Sequence, residues 1–283
     1  MKKLEKKDFE IKINEILEKL SNELSQGYSE NYINFIKFMG NFHEYSLNNL
    51  ILIFSQYPNA SRVAGFKTWE KLGFKILKGS KAIKILAPRE VIYIERNKEK
   101  IYYKNMTDKE KREIEKHRKE IYFNYANVFD LSQVKGDKEK LNYFKGLGND
   151  NKKLYYDLKK KIENINIKVI ETDKTLGAEG ISKGGEILIK ESMDYNNKFL
   201  TLIHEFAHEI LDHGEESDRD KTTKKIRELR AETISYIVAN YFNIENPFTV
   251  DYIKSYGNEK EDIKENLEKI LKGSNRIINI MKD

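Results

Sequence analysis

The chain has 283 residues, no cysteine, 35% charged residues and a formal charge of +6. Lacking thiols, it has no disulfide, thiolate metal site or cysteine nucleophile, and a transition metal can be held only by histidine and carboxylate. No stretch approaches the roughly 18 apolar residues of a membrane span, and the N-terminus MKKLEKKDFEIKINEIL has no continuous apolar core, so the expectation is a cytoplasmic protein with no membrane partner. Residues 1–133 carry 25 Lys and Arg against 18 Asp and Glu, and the remainder 27 against 28. Between Arg62 and Arg89 the cations Lys67, Lys71, Lys75, Lys78, Lys81 and Lys84 meet a single acid, Glu70. A polyanion is the natural partner of such a segment.

In chain order, apolar residues at helical spacing from Phe9 to Leu24 predict a first helix. Ser29 and Ser46 can cap a second and a third, ending near Phe42 and Gln56. After Pro58 the sequence predicts a short helix around Trp69, a strand near 74–77, a KGSK turn and a strand over 82–86, with Val91–Glu95 pairing alongside. Residues 105–120 are almost all polar and read as an exposed helix or flexible insertion before a strand resumes at Ile121. The glycine-rich segment 136–150 is the expected linker between domains 1–135 and 151–283. Beyond it come a helix at 152–164, a strand at 167–172, a hairpin folding about Gly184 and Gly185, and helices at 195–213, 224–243, 248–256 and 259–281. A small sheet followed by helices is an α+β order.

The run HEFAH in FLTLIHEFAHEIL carries the chemistry. On a helix His204 and His208 stand one turn apart on one face, where both imidazoles reach one zinc ion, and Glu205 faces its water. Such a site takes three protein ligands. The third is sought on the following helix, ELRAETISYIVANYF, where Glu232 is favoured and Glu228, one turn away on the same face, is the alternative. In this gluzincin-type arrangement the metal lowers the pKa of its water towards about 7 and Glu205 is the general base. Tyr236 and His213 are candidates for stabilising the oxyanion. The strand EILIK just before the zinc helix could take an extended peptide of an unidentified protein substrate by strand addition.

In the basic half, aromatic residues alternate with cations in the manner of single-strand binders, where Lys and Arg track phosphates and rings stack on bases. Lys78 and Lys81 in the KGSK turn are the leading DNA contacts, joined by Arg62, Lys75, Lys84 and Trp69. The stretch YSLNNLILIFSQYPNASRVAGFKTWEKLGFKILKGSKAIKILAP, followed by VFDLSQ, resembles the N-terminal single-stranded-DNA-binding domain of ArdC-like antirestriction proteins. The matching positions are Tyr45, Ser46, Asn49, Trp69, Gly73, Lys78, Gly79, Lys81, Val128, Phe129 and Asp130. The second half is similar, through HEFAH and ELRAETISYIVA, to the zincin domain these proteins share with ImmA/IrrE metallopeptidases. The resemblance implies a protein of conjugative or other mobile elements that binds entering single-stranded DNA and counters host restriction. Two other readings remain open: a regulatory peptidase that cleaves a repressor and docks protein with its N-terminal domain, and a DNA-binding protein whose zinc is structural.

Overall fold

The computed structural model describes residues 6–25, 30–137, 150–214, 217–246 and 263–282. Three helices open the chain: α1 (Lys6–Ser25), α2 (Glu30–Asn41) and α3 (Leu47–Gln56). Ser46 caps α3 by accepting from the Asn49 N–H at 3.5 Å. There follow β1 (Val63–Gly65), α4 (Phe66–Lys71), β2 (Lys75–Ile76), β3 (Ile83–Arg96), β4 (Glu99–Tyr102), α5 (Asp108–Arg112), β5 (Arg118–Asp130) and β6 (Val134–Lys135). The polar insertion forms the one turn of α5, capped reciprocally by Thr107 and Glu110.

β1, β5, β3 and β4 form an antiparallel sheet in that order. Where separate strands were expected over 82–86 and 91–95, β3 runs unbroken through Pro88, paired with β5 from Ile83↔Val128 to Tyr93↔Arg118. Pro88 is tolerated because residues 84, 86 and 88 turn their backbone groups away from β5. At that outer edge α3 takes the place of a strand. The Asn49 amide donates to the Leu86 carbonyl and accepts from its N–H, while Gln56 does the same for Lys84. At Pro88 the missing N–H therefore breaks no ladder bond.

The second half comprises α6 (Asn151–Asn164), β7 (Lys168–Glu171), β8 (Gly180–Ser182), β9 (Glu186–Ile189), α7 (Tyr195–Asp212), α8 (Lys224–Tyr241) and α9 (Ile263–Lys282). Its sheet runs β7-β9-β8, parallel between β7 and β9 and antiparallel between β9 and β8. β9, the EILIK segment, is thus the central strand with both edges paired. The expected strand addition there is corrected, and the edge strand on that side is β8.

The combined helix and sheet content is α+β, as expected. One hydrophobic cluster runs through both halves, from Phe35, Ile36 and Ile51 through Leu158, Phe199 and Ile203 to Ile234, Ile237 and Ile277. α8 lies at its centre, with buried residues on every side. Gly40 of α2 rests on α8 so closely that a Cβ there would stand 3.2 Å from the Ile237 carbonyl. A separate small core of Trp69, Phe74, Leu131 and Val134 lies under α4 and the KGSK turn. Most of the expected linker, residues 138–149, and the helix expected at 248–256 lie outside the described residues.

Candidate metal centre and nucleic-acid surface

α7 begins where Asp194 accepts from the Asn196 and Asn197 N–H groups, and its apolar stripe buries Phe199, Leu202, Ile203 and Phe206 in the core. His204 and His208 are thereby turned towards α8, itself capped by Thr223. Their Nε2 atoms are 3.2 Å apart. Glu228 Oε2 completes a triangle, 3.4 Å from His204 Nε2 and 3.6 Å from His208 Nε2. These three residues form the one compact group of potential metal ligands among the described residues. Donors about 2.1 Å from a tetrahedral ion stand roughly 3.4 Å from one another, so the triangle has the size a zinc ion requires.

Glu232, the favoured ligand, is instead on the far side of the imidazole, where the His204 Nδ1–H donates to its Oε2 at 3.0 Å. The His208 Nδ1–H donates to Asp212 Oδ2 at 2.7 Å, and Asp212 lies 3.7 Å from Arg227 Nε. Each ring is thus fixed through Nδ1 with Nε2 turned to the triangle, the usual way a ligand imidazole is oriented. Electrostatics agrees in the metal-free chain. Burial disfavours a charge on His204, but Glu228 and Glu232 outweigh it and push its pKa up to about 10. Hydrogen bonds from His204 and His208 hold Glu228 well below the usual carboxylate range. Burial raises Glu205, opposed by the neighbouring imidazoles.

Two contacts join this helix to β8. A Cβ at Gly180 would come within 2.6 Å of Glu205 Cγ and Thr201 Cγ2, so the strand rests directly on the expected base. Buried Glu209 accepts from Ser182 Oγ, Lys183 N and Gly184 N on one oxygen, at 2.7 to 3.1 Å, and from Gly185 N at 2.7 Å on the other. Glu209, Asp212 and Gly180 were missed in the sequence, although HEFAHEILD places both acids one helical turn from residues already singled out. Tyr236 is buried within α8, and His213 is exposed at the end of α7 beside Arg219.

Of the expected DNA contacts, Arg62, Lys75, Lys78, Lys81 and Lys84 are exposed. Trp69 is corrected: it is 0% exposed, and its Nε1–H donates to the Phe129 carbonyl at 2.8 Å, so no base can stack on it. Other motif residues also serve the fold. The Tyr45 hydroxyl donates to the Val63 carbonyl, and buried Asp130 accepts from the N–H groups of Ser61, Arg62 and Ser132. The KGSK turn is pinned by Gln133, which donates to the Lys81 carbonyl and whose own carbonyl accepts from Leu77 N and Ser80 Oγ.

Fold and site together define an α+β protein in which a basic β-ribbon half adjoins a helical half bearing a metallopeptidase-type His-Glu-x-x-His helix. Residues 4–129 match the family described as the N-terminal domain of anti-restriction factor ArdC, and residues 160–269 match the IrrE N-terminal-like domain of the M78 peptidases. The chain is an ArdC-like two-domain protein. An uncharacterised Bacillus anthracis protein is 26% identical over 288 residues, covering 91% of this chain, which spans about half (49%) of that relative's length. The metal-free crystal structure of antirestriction protein ArdC from the R388 plasmid is similar in fold at a TM-score of 0.50 and 12% identity, covering 84% of both chains. The Mn(II)-bound structure of ArdC from the same plasmid gives 0.46 and 14%, covering 84% of this chain and 90% of that one.

Proposed function

We propose that this is a single-stranded-DNA-binding antirestriction protein of a conjugative or other mobile element, acting in the cytoplasm and carrying a zinc metallopeptidase site. In this reading residues 1–135 bind DNA, 136–150 connect, and 151–283 form the peptidase domain. The observation that carries it is the row Arg62, Lys67, Lys71, Lys75, Lys78 and Lys81. All six are exposed, and none forms an ion pair among the described residues. Elsewhere on the same half Arg96, Lys100, Lys116, Arg118 and Lys119 are each paired with a glutamate. Six exposed cations close in sequence, with Glu70 the single acid among them, suit phosphates, whose condensed counterions they release.

In the peptidase domain we assign His204, His208 and Glu228 as ligands, with Glu232 and Asp212 orienting the imidazoles. Zinc held there supplies Lewis acidity towards a peptide carbonyl and lowers the pKa of a bound water. Glu205, under β8 and raised by burial, takes the proton and passes it to the leaving amine. An extended peptide joining this sheet pairs with β8, whose Gly180 lies on Glu205.

Fluorescence anisotropy of the whole chain with single-stranded and duplex DNA, over a range of salt, tests the DNA half. The single strand should bind more tightly, and Lys78→Ala with Lys81→Ala should weaken it and reduce the salt slope by about one for each phosphate no longer neutralised. Equal affinity for duplex, or no binding at low salt, contradicts the reading. For the peptidase half, Glu205→Gln should abolish cleavage while zinc content and DNA affinity stay at the wild-type values.

A further inference from the structure

With Trp69 in the core, the rings that meet the bases must be sought elsewhere, and β5 presents them. We infer that the open face of β5, with Phe123 and Tyr125 as stacking rings and Lys84 as the adjoining cation, is the base platform of the single-stranded-DNA site. The inference rests on the DNA-binding reading above.

Ile121, Phe123 and Tyr125 alternate along β5, and so project from the same face of the ribbon. They are 62%, 58% and 37% exposed. The opposite face turns Ile83, Ile85, Ala126 and Val128 to the main core. Beyond Ala126 it carries Arg89, Tyr122 and Asn124. At Ile121, Phe123 and Tyr125, therefore, the ribbon exposes large apolar side chains, the reverse of what a half-buried sheet needs for stability, whereas further out the same face is closed over Ile94, 6% exposed. Pro88 stands directly across from Phe123 and widens the strip, while Leu86, across from Tyr125, is half-buried against the main core.

The strip adjoins a cation. Lys84 Nζ lies 5.7 Å from the centre of the Tyr125 ring. At the base of the same face Phe129 packs on the small core that lies beneath the KGSK turn. Side chains two residues apart on a strand are about 6.6 Å apart, roughly twice the 3.4 Å rise of a stacked nucleic-acid strand. That spacing gives each ring one base of an unstacked strand, with the phosphates following the lysines. An unpaired strand is the occupant that fits exposed rings bordered by uncompensated positive charge; bases in a duplex are stacked on each other and offer no free face.

The test uses the whole chain, oligothymidylate and an abasic deoxyribose-phosphate oligomer of equal length, titrated across salt. The wild type should bind oligothymidylate at least tenfold more tightly than the abasic oligomer. Phe123→Thr and Tyr125→Thr, which keep a β-branched residue on the strand, should each cost about tenfold for oligothymidylate. Both should leave the salt slope and the abasic affinity unchanged, and Tyr125→Phe should bind as wild type. Equal wild-type affinity for the two oligomers overturns the platform without needing any variant. So does an unchanged affinity in the double Thr variant while Lys78→Ala with Lys81→Ala weakens binding, and the DNA-binding reading then stands. No wild-type binding to either oligomer at low salt removes that reading and the platform with it.

Discussion

Glu228 and Glu232 lie one turn apart on α8, yet their oxygens meet different nitrogens of His204, 3.4 Å from Nε2 and 3.0 Å from Nδ1. Their replacements should therefore differ. By chelator competition, Glu228→Ala should weaken zinc binding by more than a hundredfold, and Glu232→Ala, which frees the ring without removing a ligand, by about 10- to 100-fold. The raised pKa of His204 sets the sign of the pH dependence. In the metal-free chain the ring is protonated at neutral pH and must lose its proton to bind a metal. Zinc affinity should rise with pH between 6 and 9 by about tenfold per unit for each proton displaced, and a flat profile would contradict the assignment. That His204 and His208 share a face was legible from spacing alone, whereas which of Glu228 and Glu232 meets their Nε2 atoms was not, because i and i+4 on one helix share a face and the sequence does not say how α8 is rotated. Trp69 was misread for a related reason: a ring flanked by lysines looks the same in sequence whether it points outward or, as here, into a core closed by Phe74, Leu131 and Val134.

Among the elements, α7 and β8 act as a unit through Glu209 and Gly180. Glu209→Ala would leave three backbone N–H groups and the Ser182 hydroxyl without their acceptor, a cost of about 2–4 kcal/mol. Glu209→Gln, which keeps an acceptor, should lose less in urea unfolding. Gly180→Ala forces a methyl against Glu205 and Thr201, and should cost about 1–3 kcal/mol while displacing the Glu205 carboxylate. A variant as stable and as active as wild type would show that β8 does not rest on the base. Helix positions were legible from apolar periodicity and, for α3, from the cap residue Ser46. The long β3 was not, since Pro88 reads as a strand end unless it is known that Asn49 and Gln56 cover that edge. The central place of β9 was also hidden, because pairing order is a tertiary property that hydrophobic alternation does not encode.

In the molecule as a whole, α8 and α9 complete the core that α2 and α3 begin, so the two matched regions share their hydrophobic interior. The chain should unfold in one transition. The sole tryptophan, Trp69, reports the basic half and far-ultraviolet dichroism reports the helices, and their midpoints should coincide in urea. Zinc bound at His204 and His208 should raise the Trp69 midpoint as well, because ligand binding stabilises the whole cooperative unit. A Trp69 transition that ignores zinc would mean that the two halves melt independently.

The most direct measurement is X-ray absorption at the zinc edge of the loaded whole chain, compared with Glu228→Ala and Glu232→Ala. One zinc per chain is expected, with two imidazole nitrogens and a carboxylate oxygen at about 2.0–2.2 Å, the carboxylate signal being lost in Glu228→Ala and kept in Glu232→Ala. The opposite pattern, or a chain that takes up no zinc, would overturn the assignment of His204, His208 and Glu228 as the metal ligands.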